Sequence, residues 1–287
     1  MSVIKDLKFQ YKIGDISSKI IYWNVGCFLF SLILFYQFKL GIFDFPNWIA
    51  LSSNPSVLFY KPWTLLSYAF FHDGFGHLFF NMLVLNFSSR LFLTFFSTKQ
   101  YIGLYVLSAV FAGISFVVGY YFLHLNASIV GASAAIMAVL VAVTTFRPLV
   151  DVRLLLIGNV KLWHITAVIL ILDLMQFRLE NTGGHISHLS GAFFGFIFIK
   201  LLQNGVDLSK ILTSFFDSFI NLFSKKSKNP FQKVHRNYNL PIEKKVSKIV
   251  TKDKVQQQVD EILDKISQSG YDSLSKDEKE FLFKIGK

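Results

Sequence analysis

Six runs of apolar residues constrain this chain more than any motif in it. They are Ile20–Phe38, His77–Phe96, Tyr101–Leu123, Val130–Phe146, Trp163–Phe177 and His185–Leu202. A helix crosses the bilayer core in about 20 residues, and the shorter fourth and fifth runs come close to that. In hydrocarbon every backbone N–H and C=O must be satisfied within the chain, so segments of this kind cross as helices. The fold class expected is an all-α polytopic membrane protein, a bundle of six transmembrane helices. Composition agrees with it. Of the 287 residues, 53% are hydrophobic, 33 are Phe and 16% are charged, with a mean hydropathy of +0.47. Cys27, the single cysteine, lies in the first run, which excludes an internal disulfide framework. Met1–Lys19 is polar and mixed in charge, and the run after it is long enough to span, so no removable signal peptide is expected.

Between the first two runs lies Lys39–Gly76, rich in Phe, Trp, Tyr and Pro. Asn54-Pro55 and Lys61-Pro62 break it, so a partly embedded interfacial loop is expected there, with Trp and Tyr at headgroup level. Basic residues orient the bundle. Lys5, Lys8, Lys12, Lys19, Lys99, Arg147, Arg153 and Lys161 fall on one side, against Lys39, Lys61 and Arg178 on the other. The positive-inside rule then puts both termini in the cytoplasm and starts the second, fourth and sixth helices at the outer face. Four segments are expected: a cytoplasmic N-terminal segment at 1–19, the membrane core at 20–203, an amphipathic helix and basic linker at 204–254, and a small helical hairpin at 255–287. The linker Ser224–Lys254 carries ten Lys or Arg. Those charges, like the formal net charge of +11, point to anionic lipid headgroups at the bilayer and not to nucleic acid. Ser275 to Glu278 forms a capping box in the hairpin. Residue usage rich in Phe, Lys and Asn suggests a bacterial source, hence the cytoplasmic membrane.

Polar residues inside such runs are costly and are functional candidates. Ser133 stands among Gly131, Ala132, Ala134, Ala135 and Ala138, a density of small residues that lets helices approach closely. A serine in such a place ordinarily bonds back to its own helix. Here it shares its depth with three other polar groups. His77 and Asn81 lie one turn apart in the second run, and His188 lies near the outer end of the sixth. A serine hydroxyl needs a base to take its proton, and neutral imidazole suits that task. His188 is the candidate base, Ser133 the nucleophile, and His77 and Asn81 the donors to a developing oxyanion. No carboxylate is expected at that layer, so a Ser–His dyad is implied. Asp173 is expected to snorkel or cap a loop, His185 to line a watery mouth, and His72 to bond structurally. His164 belongs at the cytoplasmic interface, and His124 and His235 in solvent.

At these residues the sequence resembles the rhomboid family of intramembrane serine proteases, from about Pro62 to Lys200. The motifs are Phe71-His72 through His77-Leu-Phe-Phe-Asn81, Gly131-Ala-Ser-Ala134, and His188-Leu-Ser-Gly191-Ala-Phe-Phe-Gly195. The resemblance implies a six-helix core, a Ser133–His188 dyad, oxyanion support from His77 and Asn81, and no cofactor or metal. It also implies close contact of the fourth and sixth helices at Gly191 and Gly195. The chain departs from the pattern at Ala134, at Met137, where an aromatic is common, and at Thr64, where an arginine follows the tryptophan. The activity implied is hydrolysis of peptide bonds in or next to transmembrane segments of other proteins, with water admitted around Asp73–Gly76 and a Gly183-Gly184 hinge. Two other readings stand beside it. One is a catalytically silent relative that binds membrane clients. The other is a metal site or transporter built from His72, His77, His185 and His188.

Overall fold

The computed structural model describes residues 3–154, 158–176, 182–223 and 247–285. It divides into two units, residues 1–226 and 227–287. The first begins with α1 (Val3–Ile13) and α2 (Ile16–Leu34), an arrangement fixed by Asp15. The Asp15 carboxylate accepts from the Ser18 backbone N–H at 2.8 Å and from the Ser17 hydroxyl at 2.9 Å, which starts α2 earlier than its apolar run. The expected span to Phe38 is corrected at its other end. The helix stops at Leu34, and β1 (Tyr36–Gln37) pairs antiparallel with β2 (Ile42–Phe43). Gly41, at φ +69°, makes the turn.

The loop before the second run is ordered by short elements: β3 (Leu51–Ser52), α3 (Pro55–Tyr60), α4 (Thr64–Ser67) and a 3-10 turn over Tyr68–Phe70. Side chains tie it down. Trp63 Nε1 donates to the Trp48 carbonyl at 3.0 Å, Ser67 Oγ to that of Ile49 at 2.8 Å, and buried Thr64 to that of Lys61 at 2.7 Å. Anchoring at Trp63-Thr64 thus needs no arginine.

Then come the long helices α5 (Phe75–Phe95) and α6 (Thr98–Leu123). Ser97 and Gln100 open α6 with a reciprocal capping box. A short strand β4 (Ser128–Ile129) pairs antiparallel with β3 and leads into α7 (Ser133–Phe146). A hairpin of β5 (Asp151–Leu154) and β6 (Gly158–Lys161) follows, then α8 (Leu162–Gln176), α9 (Thr182–Gln203) and α10 (Ser209–Phe223). Among the described residues four helices are long and apolar enough to cross a membrane: Ile16–Leu34, Phe75–Phe95, Thr98–Leu123 and Gly183–Gln203. Ser133–Phe146 and Leu162–Met175 are apolar but shorter. Phe177, the last residue of the fifth run, lies outside the described residues, as do Arg178 and the linker over 224–246.

α7 is the centre of this unit and packs against α5, α6 and α9. Ala134 to Leu140, Ala142 and Val143 are all buried. The expected helix start at Val130 is corrected to Ser133, and the reason is Gly131. Its φ of +146° is a conformation that L side chains rarely adopt, and its N–H donates to the Tyr68 carbonyl at 2.9 Å, outside any helix. Non-helical backbone at membrane depth is tolerated where protein surrounds it or a cavity adjoins it. Both conditions hold here. Against α7 lies α9, pressed in at two glycines. A Cβ on Gly191 would stand 2.1 Å from the Ala134 carbonyl oxygen, and one on Gly195 would stand 2.2 Å from that of Ala138. Any side chain there would force the helices apart.

The second unit holds α11 (Ser247–Ser269), a 3-10 turn and α12 (Lys276–Ile285). Its first helix begins at Ser247, so the expected linker over 204–254 is corrected at its end. Gly270 (φ +77°) makes the turn. The Glu278 carboxylate accepts from the Ser275 N–H at 2.7 Å, Ser275 Oγ accepts from the Glu278 N–H at 3.2 Å, and Lys265 pairs with Glu278 at 2.9 Å.

Candidate active site

Ser133 is the first residue of α7. Elsewhere in these helices hydroxyls bond back one turn: Ser31 to the Cys27 carbonyl, Ser88 to Val84, Ser115 to Phe111, Ser187 to Gly183. At the opening position of a helix no carbonyl of a preceding helical turn is offered, and Ser133 bonds across the bundle instead. Its Oγ lies 2.6 Å from His188 Nε2 on α9. The close approach at Gly191 and Gly195 is what brings the two helices near enough for that bond.

A cavity of about 260 Å³ adjoins this pair, with Ser133, His188, His77, Asp73, Gly131 and Gly184 among its walls. A Cβ at Gly131 would lie 3.1 Å from His77 Nε2 and 3.3 Å from Ser133 Oγ. Glycine therefore keeps open the space between the imidazole of α5 and the hydroxyl of α7. The α7 N-terminus has no side-chain cap. The positive end of the α7 dipole, next to the cavity that Ser133 lines, favours negative charge there. Asn81 is 9% exposed, and its Nδ2 has no hydrogen-bond partner among the described residues. A buried amide donor left in that state awaits an acceptor.

The expectation that no carboxylate stands at this layer is corrected by α8. Asp173 Oδ1 lies 2.7 Å from His188 Nδ1 and 2.7 Å from His185 Nδ1. Asp173 is 9% exposed, so the expected snorkelling or capping role is corrected with it. His185, expected at a watery mouth, is 8% exposed and packed against the same carboxylate. The signal in the sequence was the carboxylate itself, the one Asp or Glu in the apolar stretch Leu162–Gln176, where an unpaired charge would be expensive.

A second carboxylate stands at the mouth. Asp73 Oδ1 is 2.5 Å from His77 Nδ1, with side chains 62% and 30% exposed. The hydrogen bond from His77 holds the Asp73 carboxyl below the usual carboxylate range. His72 is fully buried, its ring edge-on to His77 at 5.0 Å between centroids. The structural bond expected of it is not made: neither ring nitrogen has a partner among the described residues. Burial pushes its pKa down to about 3, and the His77 charge adds to that, so the ring is neutral at neutral pH. The four-histidine cluster is not assembled as one site, since His185 and His188 turn to Asp173 while His72 and His77 face each other. Gly183 is no open hinge. A Cβ there would meet the Phe116 ring at 2.6 Å. Met137 is buried in the core. The His164 ring lies tilted against Trp163 at 3.9 Å between centroids, His124 ends α6 at φ +54°, and His235 lies outside the described residues.

Comparison with protein families agrees with the motifs. No curated protein matches the chain. A family of unknown function (DUF6576) matches residues 242–285, which include the α11–α12 hairpin. The rhomboid domain matches residues 60–204, from the last residue of α3 through α9 and so across every residue of the site. The chain is a multi-pass membrane protein and belongs to the rhomboid family.

Proposed function

We propose that this protein is an intramembrane serine endopeptidase that hydrolyses peptide bonds in or next to transmembrane segments of membrane-protein substrates. The observation that carries the reading is the 2.6 Å approach of Ser133 Oγ to His188 Nε2 at the wall of a cavity. The Ser133 proton passes to His188 as Oγ attacks the substrate carbonyl. The carbonyl oxygen becomes an oxyanion that His77, Asn81 and the Ser133 backbone N–H stabilise. His188 then gives its proton to the leaving amine, and the acyl group remains on Ser133 as an ester. Water, deprotonated by His188, releases it as an acid and restores the hydroxyl. The chemistry draws on no cofactor or metal.

The substrate is a transmembrane segment whose helix opens locally at small or helix-breaking residues. All six apolar helices cross the bilayer in this reading. Both termini are cytoplasmic, the membrane is a bacterial cytoplasmic membrane, and the basic stretch before α11 lies against anionic headgroups. The protease core spans 20–203, with the amphipathic and basic segment and the hairpin as appendages. A catalytically silent client-binding relative is the alternative, and the intact Ser133 and His188 favour the enzyme. Cleavage of a tagged transmembrane substrate in liposomes tests it. Ser133→Ala abolishes cleavage while the protein stays folded, and undiminished cleavage by that variant would overturn the assignment.

A further inference from the structure

We infer that Asp173 on α8 is the positioning residue for His188, a carboxylate that orients the base of the Ser133–His188 pair. The inference rests on the protease reading above. A carboxylate can only accept hydrogen bonds, so the Nδ1 atom of His188, 2.7 Å from Asp173 Oδ1, carries the ring's proton. In the neutral ring Nε2 is then left without one, and it faces Ser133 Oγ at 2.6 Å. That is the tautomer a general base needs. The other tautomer would point an N–H at the nucleophile and could not take its proton. Asp173 also favours the imidazolium that forms when Ser133 gives up its proton, because an acceptor charge already faces it.

The carboxylate is itself aimed. His185 Nδ1 donates to the same oxygen at 2.7 Å, so two rings one turn apart on α9 hold it from one side. Its second oxygen is buried with no partner among the described residues.

The test is steady-state cleavage by the full chain in liposomes, with Asp173→Ala, Asp173→Asn and Ser133→Ala measured together. Asn keeps the side chain's shape and removes its charge, so it separates the carboxylate's charge from its packing. Asp173→Ala is expected to lower kcat about 10²-fold or more, toward the ~10⁴ that a wrong tautomer costs soluble serine proteases, with KM within about twofold. Formate, a carboxylate small enough for the vacated space, restores part of the kcat of Asp173→Ala and none to Ser133→Ala. If either Asp173 variant cleaves within about threefold of wild type while Ser133→Ala is inactive, this inference fails and the protease reading stands. If Ser133→Ala still cleaves, the protease reading itself has failed.

Discussion

Two Asp–His pairs each bring a histidine to the wall of one cavity, and their difference lies in solvent. Asp173 and His188 have side chains 9% and 24% exposed, while Asp73 and His77 are 62% and 30% exposed. Each carboxylate accepts a hydrogen bond from the Nδ1–H of its histidine, yet the consequences diverge. For His188 the bond frees Nε2 to accept from serine. His77 can donate from Nε2 to an oxyanion only when the ring also carries its second proton, because Nδ1–H is already committed to Asp73. In the proposed mechanism one pair thus orients a base and the other orients a donor. The buried pair is shielded from water and salt, and the exposed pair is screened by both. Burial, not pairing, decides how much each carboxylate can contribute.

The largest test of this division is at the glycine between the two pairs. Gly131→Val places a branched side chain 3.0 Å or nearer to the His77 ring, on a backbone of φ +146° that valine rarely adopts. Turnover of a liposome substrate is expected to fall at least about 10²-fold, as on losing an oxyanion donor, while α7 and α9 stay packed at Gly191. Wild-type turnover would show that the space above Gly131 is not where the carbonyl sits. A smaller effect is expected at the exposed carboxylate. Asp73→Asn lowers kcat only a few-fold, well short of Asp173→Asn, since solvent screens the pair and the neutral His77 ring can still place its proton on Nε2. Raising ionic strength reduces wild-type turnover modestly and leaves Asp73→Asn nearly unchanged. Equal losses at the two aspartates would break the contrast.

Much of the bundle was legible because it follows from one property, apolar runs of bilayer length, and helices α5, α6 and α9 begin or end within a few residues of those runs. The close approach of α7 and α9 was legible for a related reason: small residues on both segments have few other uses at that density. Boundaries were missed where a local device overrides hydropathy, as at the β1–β2 turn that ends α2 at Leu34. Asp15 starts α2 early, and the unwound Gly131 delays α7 until Ser133. Ser133, His188, His77 and Asn81 could be proposed from the sequence because each belongs to a local pattern within its own segment, and the structure brings Ser133, His188 and His77 to the walls of one cavity. Asp173 could not be placed that way. It comes from α8, whose rotation about its own axis is set by packing and not by any spacing in the sequence. A lone carboxylate in an apolar helix announces that it has a partner but not which one.

The most direct test of the central claim is covalent labelling of the folded protein with a fluorophosphonate, followed by mass spectrometry of its peptides. The account predicts one adduct on Ser133, lost on His188→Ala, because the hydroxyl reacts only while Nε2 at 2.6 Å takes its proton. Unreduced labelling of Ser133 in His188→Ala, or cleavage by a wild-type protein that takes no label there, would contradict it.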